Sequence, residues 1–208
     1  MNSNSQKYGS LIVISGPSGV GKSTLVGRVR QNMPELEFSI SCTTRKPRTG
    51  ECHGREYYFL TPEEFSAREQ NNEFIETAGV FSHRYGTLKS EVLERLRRGA
   101  SVMLDIDVQG ALSIRKAAEN DPELKRSAAF ILIAPPGIEV LENRLRSRAT
   151  DAEEQILQRL AAAKKELSFF RSYDFMIVND ELDAAANALE SLLRSLNTRT
   201  SLFKEEIF

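Results

Sequence analysis

Leu11-Ile12-Val13-Ile14-Ser15-Gly16-Pro17-Ser18-Gly19-Val20-Gly21-Lys22-Ser23-Thr24 decides the fold of this 208-residue chain. Leu11 to Ile14 is a short apolar run, the kind that forms a strand covered on both faces of a parallel sheet. Gly16 to Ser23 then meets G-x-x-x-x-G-K-[ST] at every fixed position. Thr24 to Gln31 is amphipathic and reads as a helix. Glycines let the backbone curl so that successive N–H groups face one anion. The helix that follows aims the positive end of its dipole at the same place. Lys22 is expected to reach the outer phosphates of a nucleoside triphosphate, and the Ser23 hydroxyl to ligate Mg²⁺.

Outward from this stretch, three more apolar runs read as strands: Val102 to Leu104, Ala129 to Ile133 and Phe175 to Val178. Amphipathic segments separate them, among them Val108 to Ala118, Glu139 to Arg146 and Leu182 to Leu196. Strands alternating with helices make right-handed βαβ units, so the fold class is α/β with a parallel sheet flanked by helices. Two regions break the rhythm. Glu37 to Lys89 holds short alternating pieces and turns and reads as an insertion. Asn143 to Phe170 is arginine-rich, then helical, and reads as a lid or a charged surface helix; Thr150 to Glu154 resembles a cap with an acidic first turn. The expected division is a core of residues 1–36, 90–140 and 172–208, an insertion of 37–89 and a lid of 141–171.

Composition narrows the setting. Twenty-eight basic residues against 29 acidic ones give a net charge of −1, which argues against a protein that grips nucleic acid over its whole surface. No apolar run is long enough for a membrane-spanning helix. The polar stretch Met1 to Tyr8 does not read as a signal peptide. Cys42 and Cys52 are too few for a disulfide framework, so a reducing cytoplasm is the expected setting. With His53 and His83 they fit no standard zinc spacing.

Val102 to Asp107 ends in carboxylates. A strand beside the phosphate loop delivers them to the carboxyl edge of the sheet, where ligands of open α/β folds bind. Asp105 is expected to associate with Mg²⁺ through water; the other reading is that Asp105 or Asp107 caps the next helix. In the insertion, Arg45 and Arg48 flank Pro47, and arginine suits bidentate phosphate recognition. Tyr57 and Tyr85 offer phenols to the same phosphate. Glu76 would repel phosphate and is expected to point elsewhere. A carboxylate can accept from the N1–H and N2–H edge of guanine, whereas adenine would leave it unpaired. Pattern alone leaves two plainer readings open: a solvated basic loop, and an exposed acid at a helix end.

These residues resemble the guanylate kinase family over nearly the whole chain. The resemblance is carried by Gly16 to Thr24, Ser41 to Glu51, Tyr57-Tyr58-Phe59, Phe74-Ile75-Glu76, Tyr85-Gly86-Thr87, Leu104 to Asp107 with Gln109-Gly110, and Ile177 to Asp180. It implies a P-loop NTPase core, a small mixed α/β GMP-binding insertion and a helical lid, with transfer of the γ-phosphoryl group of ATP to GMP, and to dGMP. By resemblance, Arg45, Arg48, Tyr57 and Tyr85 hold the GMP phosphate. Ser41, Glu76 and Thr87 read the guanine, with Asp107 near the base or acceptor end. Gly16 to Thr24 hold the ATP phosphates, and Asn179 and Asp180 lie near its base. Arg144, Arg148 and Arg159 come from the lid to the transferring group, and Mg²⁺ accompanies ATP.

Two departures stand out: Arg148 lies between Ser147 and Ala149, where the family often has glycines, and His83-Arg84 precedes Tyr85. A guanylate-kinase-like module that has lost catalysis would lack an intact phosphate loop, and a kinase for a sugar phosphate would lack the guanine readers. No N-K-x-D stretch suggests a GTPase. Arg95, Arg97 and Arg98 read as complements to a helix dipole. Leu202, Phe203, Ile207 and Phe208 are apolar for a tail, to pack on the core or meet another subunit, which leaves homo-oligomerisation open. The charge is segregated. Thr43 to Tyr58 carries a surplus of two positives, and Thr61 to Glu76 a deficit of four, an acidic helix expected to end in the base reader.

Overall fold

The apolar run that opens the chain becomes the central strand of a parallel sheet. The computed structural model describes residues 7–80, 82–147 and 152–204. In chain order the elements are β1 (Leu11–Ser15), α1 (Lys22–Asn32), β2 (Glu37–Phe38), β3 (Cys42–Thr43), β4 (Tyr58–Phe59), α2 (Pro62–Gln70), β5 (Phe74–Val80) and β6 (His83–Leu88). There follow α3 (Lys89–Arg97), β7 (Val102–Asp105), α4 (Val108–Asn120), α5 (Pro122–Ser127), β8 (Ala128–Ala134), α6 (Ile138–Ser147), α7 (Glu153–Ser168), β9 (Phe175–Val178) and α8 (Leu182–Leu196).

The larger sheet runs β2-β7-β1-β8-β9, every neighbour parallel. Alternation along each strand splits the continuous apolar runs into two cores. Ile12, Ile14, Met103, Ile131 and Ile133 face Leu25 and Val29 of α1 and Leu189 and Leu193 of α8. Leu11, Val13, Val102, Leu104 and Phe130 face Val92 and Leu96 of α3 and Ala111 and Ile114 of α4. The sheet is thus covered on both faces at its centre, and the first strand is wholly buried. Its last strand departs from that expectation. On β9, an edge strand with one neighbour, Met176 is 52% exposed and Phe175 and Val178 are also exposed.

The second sheet, β4-β3-β6-β5, belongs to the insertion. Its longest pairing is the antiparallel β5–β6 hairpin, with a bulge between Phe74 and Glu76. The apolar pattern does not reveal this hairpin, because Glu76, Gly86 and Thr87, on its two faces, are buried without being large hydrophobes. A small core of Cys42, Phe65, Phe74 and Leu88 lies beneath it, with Phe65 and Phe74 stacked at 4.6 Å. A Cβ on Gly86 would come within 2.9 Å of the Phe74 ring, so the close packing requires glycine there. The acidic helix α2 starts at a capping box, Thr61 with Glu64. It ends at Gln70, so Glu76 is not at its end as the sequence suggests; it is on β5.

The insertion begins later than residue 37. Glu37 and Phe38 pair with Val102 and Met103 in the larger sheet. Arg95 fixes them there, donating to the Phe38 carbonyl at 3.0 Å and pairing with Glu37, while Arg98 pairs with Glu37 and Arg97 with Glu123. These three arginines hold neighbouring elements rather than only their own helix end. Leu202 is buried and Phe203 bridges Lys7, whereas Ile207 and Phe208 lie outside the described residues.

Candidate active site

The loop between β1 and α1 is built by its backbone. A Cβ on Gly16 would run into the Ile133 carbonyl oxygen, and Gly21 caps α1 with φ +89°, where a Cβ would fall 2.5 Å from Asn179 Nδ2. The N-terminus of α1 therefore opens toward the loop, as an anion site requires. Val20 is fully buried, and its carbonyl is turned away to accept from Asn179 Nδ2 at 2.8 Å. Lys22 leaves α1 at its first position. Its ammonium pairs with Asp105, at the end of β7, and donates to the Ile106 carbonyl at 3.3 Å.

From this loop a cavity of about 840 Å³ runs to the second sheet. Its wall includes Gly16, Pro17, Ser18, Gly19, Gly21, Lys22, Ser23 and Thr24 on one side, and Ser41, Tyr57, Glu76 and Tyr85 on the other. Asp105, Asp107 and Arg159 lie on the wall as well; Val20, Arg45, Arg48, Thr87, Arg144, Asn179 and Asp180 do not.

At the far end Glu76 is buried. Its Oε1 accepts from Thr87 Oγ1 at 2.9 Å, and its Oε2 is buried with no partner. Burial pushes the carboxyl up to about 7, with the charge of Asp107 adding to it and the Thr87 bonds opposing it. Asp107 has a second task, capping α4 by accepting from Gly110 N at 2.7 Å. Of Asp105 and Asp107, Asp107 is the cap. A Cβ on Gly110 would lie 3.5 Å from both Glu76 Oε2 and Asp107 Oδ1, so the start of α4 sits directly against the Glu76 carboxylate.

Nearer the middle, Tyr57 and Tyr85 meet edge to face at 5.9 Å, and the Arg45 guanidinium lies 5.4 Å from the Tyr57 ring centre. Burial, then the neighbouring Tyr85, raises the Tyr57 phenol. Glu51 grips Arg45 with both oxygens, each at 2.9 Å, and raises the guanidinium further above its usual value. The Arg48 side chain is exposed.

The family model for guanylate kinase matches residues 8–196 of this chain. The chain is 48% identical over 183 residues to the guanylate kinase of Gloeobacter violaceus, covering 88% of this chain and 86% of that one. It is 46% identical over 187 residues to that of Fusobacterium nucleatum, covering 90% and 97%. The chain belongs to the guanylate kinase family. Among solved structures, the guanylate kinase of Anaplasma phagocytophilum superposes with a TM-score of 0.74 at 30% identity, covering 95% of this chain and 90% of that one.

The three arginines expected in a lid are separated. Arg144 is not aimed into the cavity. Its Nη1 donates to the carbonyls of Asn179 at 2.9 Å and Val20 at 3.3 Å, and its Nη2 to that of Asp180 at 3.2 Å. Leu141 and Leu145 of the same helix pack where a Gly19 Cβ would be, so α6 is docked on the phosphate loop. Arg159 lines the cavity from α7, and Arg148 lies outside the described residues. Asn179 is buried and holds the loop by its amide, while Asp180 contributes its carbonyl to Arg144. Ala152 is the N-cap of α7, with Glu153 and Glu154 in the acidic first turn, and its N–H donates to Gln155 Oε1 at 3.4 Å; Thr150 and Asp151 lie outside the described residues.

Sequence reasoning passes over Glu166 on the cavity wall and over Tyr173, which is not on it. Glu166 lines the cavity, and its carboxyl is raised by burial and by Asp107, against the pull of Lys22. It is seven residues after Arg159, two helical turns along one face, and that spacing is the signal that finds it. Tyr173 hydrogen-bonds Ser15 at the end of β1, a contact no local pattern announces.

Proposed function

We propose that this guanylate kinase transfers the γ-phosphoryl group of ATP in line to GMP, and to dGMP, across the cavity between the phosphate loop and the second sheet. The observation that carries this reading is the buried Glu76 carboxylate, with one oxygen held by Thr87 and the other unpartnered, in the same cavity as Lys22. Guanine supplies two parallel donors to such a group. Adenine supplies no such pair and would leave a buried acceptor unsatisfied. Ser41 lines the same end and would complete the base site. Arg45, Arg48, Tyr57 and Tyr85 would hold the acceptor phosphate.

The donor roles follow from the loop. Backbone N–H groups from Gly16 to Thr24 would cradle the ATP phosphates, Lys22 would leave Asp105 for their outer oxygens, and Asn179 and Arg144 keep the Val20 carbonyl out of the cradle. Ser23 and Asp105 fit a Mg²⁺ ion: both line the cavity at the loop, and both offer the oxygen ligands that ion takes. Mg²⁺, when bound with ATP, supplies charge screening on the phosphates. Transfer between two anions needs positioning and neutralisation rather than a general base. Lys22, Arg48, Arg159 and, from outside the described residues, Arg148 would supply the positive charge; Arg144 acts by fixing the loop. Closure of α7 would exclude water as a competing acceptor.

No helix is long and apolar enough to cross a membrane among the described residues. Both cysteines are free, in keeping with the reading of a reducing cytoplasm, and burial pushes the Cys42 thiol up to about 11, which makes it a poor nucleophile. The test is a panel of acceptors offered with ATP, read as ADP formation. GMP and dGMP are expected to turn over, and AMP, CMP, UMP and ribose phosphates to lag by at least about a hundredfold in kcat/KM. AMP turning over as well as GMP would overturn the reading.

A further inference from the structure

Arg45 does not stand free in its loop. Glu51 Oε2 accepts from Arg45 Nη1 and Glu51 Oε1 from Arg45 Nη2, both at 2.9 Å. The same Oε2 accepts from the backbone N–H of Arg48 at 2.7 Å. Glu51 N–H returns to the Arg48 carbonyl at 3.0 Å, closing a turn in which Gly50 takes φ +88°, as the third residue of a type II turn does. One carboxylate thus fixes the side chain of the first arginine and the backbone of the second. The pair is sheltered: the Arg45 and Glu51 side chains are 12% and 18% exposed.

The donor count shows what this leaves. A guanidinium has five N–H groups. Arg45 Nη1 uses both of its own, the second on the Lys46 carbonyl at 2.7 Å, and Nη2 uses one. Outside these contacts remain the Nε–H and one Nη2–H, which lie parallel on one edge and match two oxygens of a phosphate; the Tyr85 phenol also lies within hydrogen-bonding reach of this guanidinium, a neutral partner that a phosphate can replace or join. Glu51 occupies the end-on fork and so leaves the side-on fork for another oxygen ligand.

We infer that Glu51 is the positioning residue of the acceptor-phosphate subsite, presetting the side-on fork of Arg45 and the backbone of Arg48 for the phosphate of a nucleoside monophosphate. The inference rests on the reading that these two arginines bind that phosphate. Pre-set geometry lowers the ordering cost of binding. Glu51 touches no substrate in this role; its effect passes through the arginines. A carboxylate beside a phosphate site is otherwise a liability, and Glu51 is tolerated because all of its charge is directed into hydrogen bonds with the arginine loop.

Steady-state kinetics on the full chain test this, with GMP as acceptor, guanosine as a competitive inhibitor that lacks the phosphate, and Arg45→Ala, Arg48→Ala, Glu51→Ala and Glu51→Gln as variants. Glu51→Ala is expected to raise the GMP KM about ten- to a hundredfold, while the guanosine inhibition constant and the ATP KM stay within about twofold. Glu51→Gln, which keeps one acceptor oxygen, is expected to fall between wild type and Glu51→Ala, and serves alone if the alanine variant does not fold. If Arg45→Ala and Arg48→Ala raise the GMP KM but neither Glu51 variant does, the inference is wrong and the phosphate subsite stands. If the arginine variants leave the GMP KM unchanged, the subsite reading fails and the inference with it. If guanosine inhibition weakens as much as GMP binding, Glu51 supports the whole insertion and is not a positioning residue for phosphate.

Discussion

The two ends of the cavity are made differently. The donor end is one contiguous segment, Gly16 to Thr24, shaped by backbone and by what its glycines exclude. The acceptor end is assembled from side chains on separate elements: Ser41 before β3, Tyr57 before β4, Glu76 on β5, Tyr85 and Thr87 on β6, and Asp107 ahead of α4. A backbone cradle presents its N–H groups whether or not a ligand is there. The acceptor end instead holds a buried carboxylate with one oxygen unpartnered and an arginine already paired with Glu51, and a ligand is needed to complete the carboxylate. The first arrangement suits a ligand recognised by charge, the second a ligand recognised by its pattern of donors.

Removing the ammonium that the donor end aims at the ATP phosphates is expected to have the largest effect. Lys22→Ala should lower kcat for ATP-to-GMP transfer by about a thousandfold or more while circular dichroism stays native. Ordinary turnover in that variant would break the donor half of the comparison. Next comes the base reader. Glu76→Gln puts a donor where guanine also donates, and should raise the GMP KM by about a hundredfold with the ATP KM nearly unchanged.

The same substitution should act oppositely on stability. A folded-state pKa of about 7 against 4.5 in the unfolded chain means that folding favours the protonated acid. That contribution is fully present below the unfolded value and is lost as pH rises through 7. At pH 8 Glu76→Gln, without GMP, should therefore be more stable than wild type, by on the order of 2 kcal/mol in urea unfolding, with the difference shrinking toward pH 5. A variant less stable at pH 8 would mean that the carboxylate is well compensated without ligand. The smallest effect is expected back at the donor end. Asn179→Ala removes the hydrogen bond to the Val20 carbonyl, for about 1 kcal/mol of stability and a severalfold rise in the ATP KM. A change in the GMP KM alone would misplace Asn179.

The difference between the two ends also governs what the sequence discloses. The donor loop is legible because backbone constraint leaves its mark in adjacent residues, glycines at fixed spacing between a strand and a helix. The central strands are legible for a similar reason, as uninterrupted apolar runs. The β5–β6 hairpin is not, since Glu76, Gly86 and Thr87, on its two faces, are buried where a periodicity reading expects large hydrophobes. Glu76 comes forward through the chemistry of a carboxylate in a basic insertion, and Thr87 only through the resemblance to a family. Arginines are the least legible. Arg144 and Arg159 look alike in sequence, yet one binds three backbone carbonyls and the other lines the cavity. What an arginine does depends on which oxygens the fold brings to it, and those lie far away in the chain.

Calorimetry of GMP binding in buffers of different ionisation enthalpy tests the central claim, that the Glu76 carboxylate reads guanine, most directly. Binding that requires the charged form must expel the proton that burial holds there. Near pH 6.5, wild type should release more protons on binding GMP than Glu76→Gln does, and the excess should vanish by about pH 8.5. Equal proton exchange in the two proteins at every pH would contradict it.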